Sequence, residues 1–386
     1  MEEQSGVKQP LLGILGLIVC VLLTMAIIVW FKTPTFMSWV TFIMICAIPT
    51  MVVLALVWQG NYPAPAATLA QPLKGVYLLL LSILAGAAIA GVMLKILPGF
   101  NLPGPGPAQS HYIILTVVVT LWLVIAWQCW PTAAIKGHPA FVGIGTVILT
   151  YIVTWIVFKI FWNFGVMAKA PFYVASADPG GLFVFADSMA FAVTTVVVLL
   201  GFVLLDMWPL STLPPKIPAM AKPPVWGIVM SILVLIITYI IFKVGVTVMK
   251  DPTVFLVKIT ISWIFGEFIM LNCLQTAPFQ TVAQPLKGIL LIICSFILAL
   301  IMYPIYGAMA TWIAGSPLPA GAKGGYVHEL WIGSAMLGVT FPLFTAFTGF
   351  FNFWPFTEGA PPPPPEAAAP NGPPPSSLEE SVSQHL

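Results

Sequence analysis

Long apolar stretches, separated by short polar or proline-containing connections, run along most of the chain. The first, LLGILGLIVCVLLTMAIIVWF at residues 11–31, contains no charged residue. At about 1.5 Å of rise per residue it crosses the hydrocarbon core of a bilayer, which is about 30 Å thick. It is too long for the apolar core of a signal peptide, so we expect a retained helix. Similar stretches predict transmembrane helices at about 10–31, 36–58, 72–97, 111–130, 139–162, 184–208, 224–249, 253–275, 285–314 and 328–354.

These stretches predict an all-α, polytopic integral membrane protein of about ten helices. Within lipid every backbone polar group needs an internal partner, so only helices and closed barrels can span a membrane. The stretches are too long and too uniformly apolar for barrel strands. We therefore expect a transmembrane domain over residues 1–356. Residues 357–386 are rich in proline and acidic residues, and we expect a disordered tail, either solvated or docking another protein.

The odd-numbered helices share a way of starting. Each begins with a proline that is followed three or four residues later by a glycine. Proline is favourable in the first helical turn, because its missing N–H has no partner there in any case. The five starts are QPLLG at 9–13, QPLKG at 71–75, HPAFVG at 138–143, PPVWG at 223–227 and QPLKG at 284–288.

Two of these starts belong to longer copies. APAATLAQPLKG at 64–75 and APFQTVAQPLKG at 277–288 agree at nine of twelve positions, at an offset of 213. The even-numbered helices end on a polar residue, and these residues are Gln59, Gln128, Asp206, Asn272 and Asn352. Together the patterns predict five two-helix hairpin repeats, at about 10–59, 72–130, 139–208, 224–275 and 285–355. Six helices separate the two copies, so we expect parallel repeats rather than inverted halves.

Composition narrows the functional classes. Hydrophobic residues make up 60% of the chain and charged ones 7%, and the net charge is +2, so we expect no nucleic-acid partner. All fourteen basic residues are lysine, which leaves no guanidinium group to clamp a carboxylate or phosphate. The five cysteines have no CxxC spacing, and we interpret them as small buried residues.

The lysine of QPLKG is a candidate solute contact. Lys74 and Lys287 lie in the first turn of their helices, where the helix dipole disfavours a cation by about 0.3–1 kcal/mol. One interpretation is an anion site formed by the lysine, free N–H groups and neighbouring polar residues. The other is a lysine that extends to the interface and contacts lipid phosphate. The retained polar neighbours are Thr68 and Gln71 in one copy and Thr281 and Gln284 in the other.

Two carboxylates are candidates for ion coupling. Glu267 lies in WIFGEFIMLNC, about three residues from the centre of the eighth helix and so roughly 4–5 Å from the midplane. An ionisable group at that depth is either a proton or cation site or a neutral, hydrogen-bonded structural residue. Asp206 ends the sixth helix, where it belongs either to a polar vestibule or to a set of interfacial helix caps.

The sequence shows no triad, phosphate-binding glycine loop or metal-ligand spacing, so we predict no cofactor and no metal, and an enzyme is the less favoured class. We predict a transporter or permease for a small anionic or zwitterionic solute, coupled to a proton or cation through Glu267. The alternatives are a non-catalytic subunit of a larger membrane complex and, less favoured, a membrane enzyme completed by a partner chain. We expect the plasma membrane, both termini on the cytoplasmic side, and protein contacts through the loops or the tail.

Overall fold

The computed structural model describes residues 7–135 and 138–357. Within them ten helices are long and apolar enough to cross a membrane, which confirms the predicted class. The predicted tail, beyond residue 357, lies outside the described residues. The helices are α1 (Leu11–Ile28), α2 (Thr33–Val57), α3 (Leu73–Ile96), α4 (Pro107–Ala126), α5 (Pro139–Phe161), α6 (Phe185–Leu204), α7 (Val225–Met249), α8 (Pro252–Cys273), α9 (Leu286–Ala314) and α10 (Val327–Phe350).

The even-numbered helices form the centre of the bundle. In their most apolar stretches 61–83% of the residues are buried, against 22–33% in the odd-numbered helices. The even helices contact one another in a closed ring, in the order α2, α4, α6, α8, α10 and back to α2. The odd helices lie outside this ring and expose leucine and isoleucine side chains, as a lipid-facing surface does.

Each outer helix lies in the groove between two inner helices. For α5, α7 and α9 these are the two inner helices that come just before it in the chain. The same rule, carried around the ring, places α3 between α10 and α2 and α1 between α8 and α10. The bundle therefore closes through contacts between the first and the last helices.

The inward face of every outer helix follows one spacing. A glycine in the first turns is followed by buried residues three, seven and eleven positions later, which is one face of a helix. The sets are Gly13, Gly16, Cys20 and Thr24; Gly75, Leu78, Ser82 and Gly86; Gly143, Thr146, Thr150 and Thr154; Gly227, Met230, Val234 and Thr238; and Gly288, Leu291, Ser295 and Ala299.

The leading glycine is required by close packing on the end of an inner helix. A Cβ at Gly288 would lie 2.7 Å from the carbonyl oxygen of Leu204, and one at Gly227 would lie 2.7 Å from the ring of Trp127. The corresponding groups are Cys273 for Gly13, Phe351 for Gly75 and Trp58 for Gly143. The proline–glycine pattern therefore marks where outer and inner helices touch.

The inner helices end in a left-handed residue. Its φ is 48–50° at Gln59, Gln128, Asp206, Gln275 and Asn352. Left-handed backbone is typical of a helix C-cap, which supports the capping interpretation of these polar residues. The prediction of Asn272 for the fourth position is wrong. That residue lies inside the π-helical segment Ile269–Cys273, and the left-handed residue that follows α8 is Gln275, three residues later.

Four inner helices, α2, α4, α8 and α10, contain π-helical turns, which displace backbone carbonyls from their usual partners. Hydroxyls on the same helix donate to three of these carbonyls. Thr41 donates to Phe36 at 2.8 Å. Ser262 donates to Val257 and Thr340 to Ala335, both at 3.0 Å. The buried hydroxyls thus satisfy backbone groups that have no water to bond.

The longest connection lies between α5 and α6 and is folded. Strand β1 (Trp162–Asn163) pairs in parallel with β2 (Phe183–Val184). Between them, Asp178 accepts from the backbone N–H of Phe164 at 3.0 Å and from the Tyr173 hydroxyl at 2.7 Å. The bond to Asp178 raises the pKa of Tyr173.

We expect Gly288→Ala to destabilise the protein, because the added methyl would lie 2.7 Å from backbone atoms of Leu204 and Leu205, which cannot move aside as a flexible side chain can. Overpacking of this kind costs about 1–3 kcal/mol. Gly91, on α3, is the matched control, since a Cβ there meets nothing within 4 Å. Gly91→Ala should be neutral or stabilising by up to about 1 kcal/mol, from helix propensity alone. Thermal unfolding in detergent measures both, and equal midpoints would refute the packing assignment.

Candidate functional site

Glu267 lies on α8 with its side chain fully buried, at 0% exposure. Neither carboxyl oxygen has a hydrogen-bond partner among the described residues. A gap at Gly201 of α6 borders both this carboxyl and Ile292 of α9. A Cβ built at Gly201 of α6 lies 3.8 Å from Oε1 of Glu267 and 3.7 Å from Cδ1 of Ile292 of α9. A charged carboxylate in this apolar environment is very costly, so the geometry favours the neutral, protonated form.

Small residues create the space that this carboxyl occupies. Gly201 leaves a gap in the wall of α6, opposite the carboxyl. Gly266, the neighbour of Glu267, lets the backbone of α9 approach at Ser295. The Trp263 indole then donates to the Ser295 hydroxyl at 3.0 Å and fixes α8 against α9. The carboxyl is therefore held at a junction of three helices.

Asp206 and Gln284 lie at the aqueous end of the same junction. The Gln284 amide donates to Oδ2 of Asp206 at 2.7 Å and to the carbonyl of Leu204 at 3.1 Å. Its oxygen accepts from the backbone N–H of Gly288 at 3.0 Å. Asp206 is exposed to solvent. We call the set Gly201, Asp206, Glu267, Gln284 and Ile292 the glutamate groove.

The other residues of this QPLKG copy lie near the mouth of the glutamate groove. Lys287 is half-buried in the first turn of α9, and Thr281 is exposed on the preceding connection. The structure thus brings the two predicted coupling residues, Glu267 and Asp206, onto one helix junction with one of the two predicted solute sites. The sequence alone did not indicate this convergence.

The first copy lies elsewhere in the bundle, in the groove between α10 and α2. Its glutamine, Gln71, donates to the Phe350 carbonyl at 2.6 Å and accepts from the N–H of Gly75 at 3.3 Å. Lys74 donates to the Asn61 side chain at 3.3 Å, and Thr68 donates to the backbone of Pro65 at 3.0 Å. Because α3 and α9 occupy different grooves, the two lysines belong to two separate sites.

Gln9 has the same structural role, which the sequence reasoning missed. Its amide donates to the Cys273 carbonyl at 3.0 Å, and its oxygen accepts from the N–H of Gly13 at 3.2 Å. Thus every glutamine that precedes a helix-starting proline joins an outer helix start to an inner helix end. The shared Gln-Pro pair in QPLLG and QPLKG was the available signal.

Other acidic and histidine side chains that the structure describes make local hydrogen bonds. His111 accepts from the Trp162 indole at 3.1 Å, and Glu329 accepts from the N–H of Gly321 at 3.1 Å. Asp251 caps α8 and accepts from the Tyr326 hydroxyl at 2.8 Å. Across residues 7–135 and 138–357, no group of three or more His, Cys, Asp or Glu side chains could hold a metal ion.

Comparison with known proteins adds no assignment: no protein-family model, no curated protein and no solved structure matches this chain.

We expect Glu267→Met to stabilise the protein. An unpartnered buried polar group costs about 1–3 kcal/mol, and methionine of similar size removes that cost. Glu329→Met is the control, because Glu329 is also buried, at 4% exposure, but accepts a hydrogen bond. That variant should lose stability. Thermal unfolding in detergent compares the two, and a loss at position 267 would indicate a structural partner for Glu267.

Proposed function

We propose that the protein is a proton-coupled membrane transporter in which Glu267 takes up and releases the proton. The observation that carries this proposal is the fully buried, unpartnered carboxyl at the junction of α6, α8 and α9. Ionisable groups at membrane depth are expensive, and they mark proton relays and ion paths. Protonation makes this carboxyl neutral, so each cycle changes the charge of the junction by one unit.

The surroundings of Glu267 favour a proton over a metal cation. A divalent cation takes about six or more oxygen ligands, whereas Gly201 and Ile292 offer carbon atoms. A proton needs a single oxygen. Of the proton or cation expected from the sequence, we therefore propose the proton.

For the solute we propose a small anionic or zwitterionic molecule that first contacts Lys287 or Lys74. Thr281 and Gln284 precede Lys287 in the chain, and Thr68 and Gln71 precede Lys74 in the same way. We propose that these hydroxyl and amide groups supply the neighbouring contacts to the solute. Lysine attracts an anion as a point charge, without the bidentate geometry of arginine. Both glutamines bond helix-end carbonyls, so we propose that they hold the site in shape.

We also propose that the bundle consists of five parallel two-helix hairpin repeats. Three features support this proposal: the common spacing of the inward faces, the left-handed ends of the inner helices, and the common groove rule of the outer helices. The start of α1 lies beside the end of α10, where Gly16 faces Phe347 and Phe353. This supports placing both chain ends on one side, which we propose to be the cytoplasmic face of the plasma membrane.

The direct test is uptake of a panel of small acids and amino acids into proteoliposomes with an imposed proton gradient. We expect Glu267→Gln to abolish uptake driven by the gradient, because the amide cannot exchange the proton. Asp187→Asn is the matched control, since it removes a carboxylate from the first turn of α6. Uptake that is equal in the Glu267→Gln variant and in the wild type would refute the mechanism.

Replacing a lysine tests the solute contact separately. We expect Lys287→Gln to raise the KM for an anionic solute about tenfold with little change in kcat, as loss of uniform binding does. Lys222→Gln, on the connection before α7, is a control for general surface charge. Equal KM values in all three proteins would support the interpretation of Lys287 as a lipid contact.

The folded connection between α5 and α6 favours a second candidate function, a non-catalytic subunit of a membrane complex. It exposes large apolar side chains beyond the helix ends, with Leu182 71% and Val166 65% exposed. A partner chain that co-purifies in mild detergent and is lost on Leu182→Lys would support this candidate.

A further inference from the structure

We propose that protons enter at the Asp206 end of the glutamate groove and that Ile292 is the barrier between that end and Glu267. This inference rests on the proposed function and names the access side and the gating residue of the same site.

Glu267 lies closer to one end of α8 than to the other. Glu267 lies six residues before the end of α8 at Cys273, and fifteen residues after its start at Pro252. By helical rise these are about 9 Å and about 22 Å. The shorter way to water therefore leads to the end of the bundle that carries Asp206.

The residues that end the inner helices differ in charge at the glutamate groove. The five left-handed residues that end the inner helices are structurally equivalent, and four of them are neutral amides. The acid, Asp206, stands at the groove that contains Glu267. The Gln284 amide fixes its carboxylate at 2.7 Å while the side chain remains exposed. A fixed negative charge at the mouth of a groove raises the local concentration of cations, hydronium included.

Packed side chains separate the Asp206 end of the glutamate groove from the carboxyl of Glu267. Gly288 packs on Leu204 and Leu205, which closes the first turn of the groove. One turn deeper, Ile292 lies against Gly201, where α6 has no side chain. A Cβ at Gly201 would lie 3.7 Å from Cδ1 of Ile292 and 3.8 Å from Oε1 of Glu267, so both side chains border the same gap in α6. We place Ile292 there as the side chain that separates the mouth from the carboxyl. A rotamer change of this one side chain opens the contact, and no helix has to move.

The charged groups on the three helices support the same direction. Asp206 follows α6, and Lys287 opens α9 at the same end. Asp187, Asp251 and Lys258 lie toward the opposite end. We place the aqueous entrance at the end where the Gln284 amide donates to Asp206.

Carbodiimide labelling tests this proposal. The O–H of the protonated carboxyl adds across a C=N bond of the carbodiimide: the proton goes to nitrogen and the carboxyl oxygen bonds the central carbon. The resulting O-acylisourea rearranges to a stable N-acylurea that mass spectrometry locates. A membrane-soluble carbodiimide should label Glu267 in the wild type and not in Glu267→Gln. A water-soluble carbodiimide, added to sealed vesicles, should label the wild type poorly. In Ile292→Ala we expect the water-soluble carbodiimide to label Glu267 at least tenfold faster than in the wild type when it is added from the Asp206 face. From the other face the labelling rate should change little.

Controls fix the geometry and the fold. Ile297→Ala removes the same atoms from the lipid-facing side of α9, where Ile297 is 50% exposed, and should leave labelling unchanged. The orientation of the vesicles is measured with Lys216→Cys, which lies on the exposed connection after α6. An impermeant maleimide labels this cysteine only in vesicles whose Asp206 face is outside. A thermal unfolding midpoint of Ile292→Ala close to that of Ile297→Ala shows that the bundle remains folded.

Equal labelling of Ile292→Ala and wild type, or faster labelling from the face opposite Asp206, would overturn the proposal. Labelling needs no transported solute, so the outcome is independent of the uptake assay. If transport is found, Asp206→Asn should slow proton-driven uptake about three- to tenfold without abolishing it, whereas an unchanged rate would count against Asp206 as the entrance.

Discussion

The close approach between the first turn of each outer helix and the end of an inner helix determines the rest of this bundle. Lipid is as apolar as a protein core, so apolar side chains alone give helices little reason to associate in a membrane. Glycine at the contact lets backbones approach, and a glutamine side chain can then bond the helix-end carbonyl that would otherwise have no partner. The grooves of the inner ring are filled through five such glycine contacts, three of which also have a glutamine bond.

The glutamate groove uses this scaffold and departs from it at one position. Counting back eight residues from the left-handed end of each inner helix gives Glu267 in α8 and Met51, Thr120, Val198 and Phe344 in the others. All five positions are buried. A carboxyl at such a position has no structural need, and the surrounding helices supply it with no hydrogen bond. The packed helices hold this position rigidly, and Glu267 adds a group there that can change its charge.

The number and class of the helices could be predicted from the sequence, because apolar length is a strong signal. Which helices are inside could not, since inward and lipid-facing sides are both apolar and the hydrophobic period is nearly lost. The information lay instead in small residues, such as Gly13 and Gly288, whose spacing only the packing explains. Glu267 was recognisable by its depth, but its lack of a partner depends on α6 and α9. Asn272 was mistaken for the capping position because it lies within the last π-helical turn of α8, and the left-handed residue after that turn is Gln275.

The packing of α1 between α8 and α10 has a consequence for biosynthesis. A membrane protein emerges from the ribosome and enters the bilayer from its N-terminus, so α1 is made long before the two helices that flank it. Its inward face, with Gly13, Gly16 and Thr24, must remain in lipid while six further helices, α2 to α7, are inserted before α8. Assembly of the bundle is therefore completed only after α8 and α10 have been inserted, when helices far apart in the chain meet.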